Sequence, residues 1–390
     1  MKKNLLVIHG GGPTVVLNSS LYGVVIEAKE HGDIIDKIYG ARNGVQGLLK
    51  DDFIDLGAKS EQEIDALLTS PGTAIGSSRY PLSDDDYNAM VDHLLADNIE
   101  YVLMSGGNGT MGTCGTLSRF CEKRETNIRV VGIPKTMDND IDIIDHSPGY
   151  LSAAKYIIQT TREITADVHA LPIHVCIIEV MGRNAGWLAA SSYCSADGDD
   201  LKPDLIYVPE YAFDEEKFLK DVKAIYDKKG YAVVVVSEGL KKENGDSIVP
   251  EIFRQGRSIY YGEVGNFLAN EVIKKLHIKA RNEKPGLAGR SSIYLQSAID
   301  RDEAVEVGKK SVQAAIRGDS DKMVGIFRDI KDGKYTARYD LVDLSNVMMT
   351  ERKLPENFVD AERNGITPEF AEWLNPMLLK TDYFPIVNFN

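Results

Sequence analysis

Short apolar runs that break, one after another, into glycine-rich polar loops and then into helical patterns constrain this chain more than any other feature. Residues 4–8 break into Gly10-Gly11-Gly12-Pro13-Thr14, followed by Asn18 and helically spaced Leu21, Val24, Val25 and Ala28. Residues 34–39 read as a second strand, and residues 101–104 as a third that runs into Ser105-Gly-Gly-Asn-Gly-Thr110 and a helical pattern through Met111, Leu117 and Phe120. Residues 128–131 precede Gly132-Ile-Pro-Lys-Thr-Met-Asp-Asn-Asp140, residues 150–165 look helical, and 175–180, 205–208 and 232–236 are further strands. Alternation of this kind predicts a mostly parallel α/β sheet. Ligands of such sheets bind beyond the carboxyl ends of the strands. The polar motifs fall at such ends, which points to one composite active site.

The stretch 132–140 carries the most chemistry. Pro134 cannot donate a further ladder hydrogen bond, so residues 135–140 read as a loop. Asp138 and Asp140 sit two apart and, if locally extended, point the same way. Such a pair suits a divalent metal, or one metal ligand plus one general base, and an acidic surface turn would look the same. Lys135 and Thr136 add a cation and a hydroxyl suited to a phosphoryl group in transit. The loop at residues 10–14 has the strand–glycine–helix geometry that brings backbone N–H groups to a phosphate, but it lacks the Gly-Lys-Ser/Thr ending of a Walker loop. Arg79 closes the small-residue loop 70–79, where a guanidinium could grip phosphate bidentately or simply lie exposed.

The formal net charge of −14 excludes a general nucleic-acid or acidic-membrane binder, which needs a basic face. With 43% hydrophobic and 27% charged residues, the chain can bury a core and is not disordered. Cys114, Cys121, Cys176 and Cys194 show no CxxC spacing and read as reduced thiols. The start is too short for a secretory h-region and reads as a strand, and no apolar run reaches membrane-spanning length. A soluble, cytoplasmic protein is expected.

Later in the chain come Glu179-Val-Met-Gly-Arg183, Ser237-Glu-Gly239, Lys284-Pro-Gly-Leu-Ala-Gly-Arg-Ser-Ser292 and Asp300-Arg301, the last opening a helix through Ala304 and Val307. Beyond these the chain is charged and mixed, without a chemical signature. In order and spacing, Gly-Gly-Pro-Thr with Asn18, Gly-Ser-Ser-Arg79, Gly-Gly-Asn-Gly-Thr110, Pro-Lys-Thr-Met-Asp-Asn-Asp140, Glu-Val-Met-Gly-Arg183, Ser-Glu-Gly239 and Gly-Arg-Ser-Ser292 together resemble the 6-phosphofructokinase family over roughly residues 4–315.

The resemblance implies two Rossmann-like α/β domains with mostly parallel sheets and an active site in the interdomain cleft. Residues 1–149 with about 277–312 would form a donor-binding domain, and 150–276 with about 313–390 a sugar-phosphate domain with a C-terminal extension. It implies phosphoryl transfer to the 1-hydroxyl of fructose 6-phosphate with Mg²⁺, in a homodimer or homotetramer whose neighbouring subunit completes the sugar-phosphate site. Carried over by position, Asp138 is the general base, Thr136 and Lys135 hold the transferring group, and Asp140 with Asn108 serves the metal. Met181, Gly182, Arg183 and Glu238 meet the sugar, Arg290 grips its 6-phosphate, and Arg162 looks like the arginine reaching in from a neighbour. Gly12, Arg79, Gly107, Gly109 and Thr110 face the donor.

This sequence departs from the family pattern at three points. Asn108 stands where many members carry a metal-serving Asp, Gly289 replaces the usual Gln before the phosphate-gripping arginine, and His174 replaces an arginine of short bacterial members. These departures leave room for a catalytically weak sugar-phosphate-binding or regulatory protein, or for another sugar such as sedoheptulose 7-phosphate. On the donor, two positions disagree. Pyrophosphate users resemble one another in carrying Asp where this chain has Gly109, and in carrying the lysine found here as Lys135. Because Gly109 leaves room for a nucleotide and that argument is steric, the expected donor is ATP, with pyrophosphate the alternative.

Overall fold

The first strand, β1 (Lys3–His9), shows how the apolar runs fold. Leu5, Leu6, Val7 and Ile8 are all fully buried. Leu5 and Val7 pack with Leu21, Val24 and Val25 on one face, Leu6 and Ile8 with Met90, Met111 and Leu117 on the other. Such a strand is apolar on both faces because helices cover both. The computed structural model describes residues 2–195, 201–255, 258–348 and 350–378. The chain divides into two compact units, residues 1–152 with 290–352 and residues 153–289 with 353 onward.

In the first unit β1 joins β2 (Ile35–Ala41), β3 (Phe53–Asp55), β4 (Ile99–Gly106), β5 (Arg129–Pro134) and, after the chain returns, β12 (Lys322–Lys331) and β13 (Lys334–Asp343). The sheet runs β13-β12-β5-β4-β1-β2-β3. Its inner pairs are parallel; β3 and β13 are antiparallel edges. The chain moves one way from β1 to β2 and the other way to β4 and β5. β1 and β4 therefore flank the switch point, where the loops leaving two adjacent strands diverge and open a crevice. Those loops are the glycine stretches at 10–12 and 106–109.

The second unit holds a parallel sheet, β11-β6-β8-β7, of β6 (Val175–Val180), β7 (Leu205–Tyr207), β8 (Ala232–Ser237) and β11 (Ala280–Glu283). A separate antiparallel ribbon pairs β9 (Glu251–Gln255) with β10 (Ser258–Tyr261). Phe218, Val222, Leu268 and Val272 from two helices bury the β6 and β8 side chains. Helix Glu215–Lys229 starts on an Asp214 cap and stops at Gly230, whose φ of 79° only glycine adopts freely. The short strands β14 (Val359–Asp360) and β15 (Gly365–Ile366) belong to the C-terminal part. No described helix is long and apolar enough to cross a membrane.

The domain limits differ from those expected. The chain returns to the first unit at Arg290, not near residue 277, and residues 313–352 stay there instead of joining the second unit. Packing explains both shifts. Helix Ala298–Arg317 lies backbone to backbone on helix Leu17–Glu30: a Cβ at Gly23 would overlap the Val305 carbonyl, and one at Gly308 the Ser20 carbonyl. From that helix the chain runs into β12, which pairs with β5 through Lys322 and Met323. Only from Lys353 does the extension join the second unit. There Phe358, Phe370 and Trp373 surround the fully buried Trp187, with ring centroids 6.1, 6.5 and 5.1 Å away.

Candidate active site

Loops at the carboxyl ends of β1, β4 and β5 build one group of polar residues in the first unit. The Gly10 N–H donates to the Ser105 carbonyl (2.8 Å) and the Gly11 N–H to the Ser78 carbonyl (3.0 Å). The Ser77 hydroxyl donates to the Gly11 carbonyl at 2.7 Å. These bonds lay the 70–79 loop along the first glycine loop and bring Arg79 to it. Asn18 fixes the loop's other end, donating to the Ser70 carbonyl at 2.9 Å and accepting from the Ala74 N–H at 2.8 Å. The motif asparagine is thus a brace for the arginine loop.

Lys135 is 3% exposed, and its ammonium donates to the carbonyls of Gly12 (2.5 Å) and Gly10 (3.3 Å). Burial lowers its pKa from 10.5 to about 8; the Asp138 charge opposes that shift, and Arg290 and Arg79 add to it. A Cβ on Gly12 would collide with the Arg290 guanidinium and lie 3.5 Å from Arg79 Nη2. Lys135, Arg79 and Arg290 therefore crowd one bend of glycine backbone. A compact polyanion is the ligand such a cluster suits. Beneath it His9 is fully buried and neutral. Its pKa falls to about 3 through burial and the Lys135 charge, and Nδ1 lies 2.8 Å from the Thr73 hydroxyl.

The metal candidates also meet. Asn108 donates through Nδ2 to the Asp140 carbonyl and carboxylate, each at 3.0 Å, while its own Oδ1 is buried without a hydrogen-bond partner. An amide oxygen left unsatisfied beside a carboxylate is the donor set a hard cation takes, with phosphate and water oxygens completing the shell. The residues fit Mg²⁺. Asn108 opens helix Asn108–Lys123, with Gly107 at its N-cap, so unpaired N–H groups and the positive helix end add to the anion site. The Thr110 side chain fills the space that Cβ atoms of Gly10 and Gly106 would need, packing between the two glycine loops. At Gly109 a Cβ would meet nothing within 4 Å.

The loop between them is not locally extended. Asn139, fully buried, has φ of 55°, and its Oδ1 accepts from the Ser147 N–H at 3.0 Å. The Asp138 N–H donates to the Thr136 hydroxyl at 3.1 Å. Asp138 and Asp140 are thus arranged by a turn with a left-handed centre, a conformation asparagine tolerates better than most residues.

A second group lies in the second unit, where β6 and β8 are neighbours in register (Val180 opposite Ser237). The loops beyond them touch: the Glu238 N–H donates to the Val180 carbonyl (2.9 Å), and Glu238 Oε1 accepts from the Arg183 N–H (3.3 Å). Gly182 and Arg183 take φ of 137° and 49°, and a Cβ on Gly239 would overlap the Arg183 carbonyl. Burial, assisted by the Glu179 charge, raises the Glu238 pKa. Met181, Gly182, Arg183 and Glu238 are thus brought together.

One assignment drawn from the resemblance does not match this geometry. Arg290 belongs to the first unit, against Gly12 and Arg79, among the residues assigned to the donor. Arg162 is 7% exposed and its Nη1 donates to the Ser195 carbonyl at 2.8 Å. His174 sits at the amino end of β6, the opposite end from Met181, and is 5% exposed. It is a packed strand-end residue.

The family model for phosphofructokinase matches residues 4–315. The pyrophosphate–fructose 6-phosphate 1-phosphotransferase of Rhodospirillum rubrum is 34% identical over 97% of this chain and 94% of its own length. The sulfofructose kinase of Alkalicoccus urumqiensis is 35% identical over 95% and 94%. A crystal structure of the pyrophosphate-dependent phosphofructokinase of Marinobacter aquaeolei superposes with a TM-score of 0.87 at 34% identity, covering 99% of this chain and 94% of that one. The glycine loops, the Asp138–Asp140 turn and the β6–β8 loops thus lie on a scaffold shared along nearly its whole length: the chain is a phosphotransferase and belongs to the phosphofructokinase family.

Proposed function

We propose that the protein transfers a phosphoryl group from pyrophosphate to the 1-hydroxyl of fructose 6-phosphate, giving fructose 1,6-bisphosphate and phosphate. The observation that carries the donor assignment is the cluster of Lys135, Arg79 and Arg290 at Gly11–Gly12. Concentrated positive charge of this kind matches a small donor charged at both ends. Relatives named for pyrophosphate at 34% identity support it. This reverses the expectation of ATP. Open space beyond Gly109 permits a nucleotide but supplies no contact that selects one, whereas Lys135 is a contact.

In this reading Asp138 takes the proton of the sugar hydroxyl as it attacks. Thr136 and Lys135 hold the group in transit, and phosphate leaves. Asp140 and Asn108 would hold Mg²⁺, which would neutralise donor charge. Catalysis is mostly positioning and charge stabilisation. Met181, Gly182, Arg183 and Glu238 bind the sugar phosphate. The homo-oligomer implied by the family belongs to the same proposal. The sulfofructose kinase relative favours a second reading, in which the acceptor is a sulfofructose.

The test is Asp138→Asn. Turnover of fructose 6-phosphate with pyrophosphate and Mg²⁺ should fall by about 10²–10⁴-fold, as loss of a general base does, while calorimetry shows sugar-phosphate binding unchanged. Retained turnover would remove Asp138 as the base. Binding without turnover in the unmutated protein, with any donor, would make it a binding protein.

A further inference from the structure

The loop carrying the reactive carboxylates ends in a buried ionic cluster that the transfer chemistry does not use. His146 is fully buried, with Nδ1 2.8 Å from Asp145 Oδ2 and Nε2 2.7 Å from Glu303 Oε2. Arg328 grips Asp145 with Nε and Nη2 at 3.0 and 3.2 Å, and its guanidinium lies over the Tyr335 ring. The Tyr335 hydroxyl donates to Glu303 at 2.6 Å, and Arg352 Nη1 donates to the Asp145 carbonyl. Burial alone would neutralise the imidazole. The Glu303 charge and the Asp145 hydrogen bond outweigh it and raise its pKa to about 9. His146 is therefore an imidazolium bonded at both nitrogens.

Stability alone does not account for this cluster. Burying ions costs several kcal/mol each, and apolar replacements of buried ion pairs are often neutral or stabilising. What the cluster holds is a strained loop. Asn139 and Ile143 have φ of 55° and 74°, the second unusual for a β-branched residue. Such conformations persist only where the surroundings over-determine them.

The anchors run in sequence toward the carboxylates. The Asp145 N–H donates to the Ile326 carbonyl of β12 at 2.8 Å, and Glu303 lies on helix Ala298–Arg317, so His146 is tied to two elements of the first unit. Its neighbour Ser147 donates to Asn139, which sits between Asp138 and Asp140. The Thr136 N–H donates to the Pro148 carbonyl at 3.1 Å, and the Arg352 N–H to the Asp140 carbonyl at 2.8 Å. Displacing residues 145–148 would therefore move the residues on both sides of the turn.

We propose that His146, clamped between Asp145 and Glu303, is a positioning residue for phosphoryl transfer: it holds Ser147 where it sets Asn139, and so aims Asp138 and Asp140. Arg328 and Arg352, from segments later in the chain, complete the clamp. The inference rests on the assignment of residues 135–140 to the transfer step. It is distinguished from that assignment by a readout that needs no catalysis.

The experiment is His146→Gln in the full-length protein, with amide hydrogen exchange and steady-state kinetics on the same samples. The expected result has two parts. The amides of Thr136, Asp145 and Ser147 exchange faster while those of β1 and β4 remain protected. In addition kcat falls about 10–100-fold, the size of effect a misplacement of about 1 Å produces, with KM for fructose 6-phosphate within twofold. A purely structural role would lower the melting temperature and leave kcat of the folded protein unchanged, and that result would overturn the proposal. Unchanged exchange at the three amides would overturn it too. If His146→Gln does not fold, Glu303→Gln, which keeps an acceptor but removes the charge, must show the same exchange pattern and a smaller kcat loss. Wild-type-like values in that variant would refute the clamp. Failure of the Asp138→Asn test with success of the exchange test would sink the catalytic assignment and leave the clamp standing.

Discussion

Lys135 does two jobs that conflict. Its ammonium braces the glycine loop through the Gly10 and Gly12 carbonyls and supplies charge for the donor, yet burial lowers its pKa to about 8. Below that pH the free enzyme holds the cation, and as pH rises through it the charge is lost. KM for the donor should therefore rise by on the order of tenfold between pH 7 and 9, and Lys135→Met should abolish that dependence while raising KM throughout. A flat profile in the unmutated protein would mean the charge is not used for binding. For folding the sign is opposite. The buried cation costs stability below about 8, and the cost is relieved as pH climbs toward the ordinary lysine value of 10.5. At the level of single residues the sequence was partly legible. Lys135, Asn108 and Asp140 could be picked out because their residue types suit phosphate and metal chemistry in a loop. Arg290 was grouped with the sugar residues and not with the donor loop, since its contact with Gly12 is not set by nearby residues. His146 gave no signal of its own, because its partner Glu303, and Arg328, which grips its other partner Asp145, lie far along the chain.

Strands and glycine loops were the legible elements, because a run buried on both faces is apolar along its whole length. β6 falls on the residues anticipated, 175–180, and β1, β4 and β8 extend theirs by a residue or two at the ends. β12 and β13 were not legible as a hairpin. β13 is a charged, half-exposed edge strand (Lys334–Asp343) whose pattern is set by pairing with β12, not by burial. Helix Ala298–Arg317 was visible from its start, but not its seat on helix Leu17–Glu30, which depends on two glycines far apart in sequence. Gly23→Ala would place a Cβ against the Val305 carbonyl, a backbone group that cannot rotate away. It should destabilise the first unit by about 1–3 kcal/mol, read from denaturant unfolding at unchanged m. A loss below about 0.5 kcal/mol would mean the helices separate cheaply. Gly72→Ala, whose Cβ meets nothing within 4 Å but whose φ is 79°, isolates backbone strain from packing.

For the whole molecule, the chain crosses from one unit to the other after Ser152, again at Gly289, and finally after Arg352. Composition does not mark these crossings, since no linker-like stretch separates the units. The C-terminal extension has a structural role: through Phe358, Phe370 and Trp373 it buries Trp187, just past the loop that presents Arg183. The identity of the donor decides what the whole molecule does. The most direct test gives the protein fructose 6-phosphate, Mg²⁺ and equimolar pyrophosphate and ATP together, and follows all phosphorus species by ³¹P NMR. A cation cluster selective for pyrophosphate requires that the pyrophosphate resonance be consumed as fructose 1,6-bisphosphate and phosphate appear, with ATP intact. Bisphosphate formed with release of ADP and untouched pyrophosphate would contradict that selectivity, and would return the decision to the space beside Gly109.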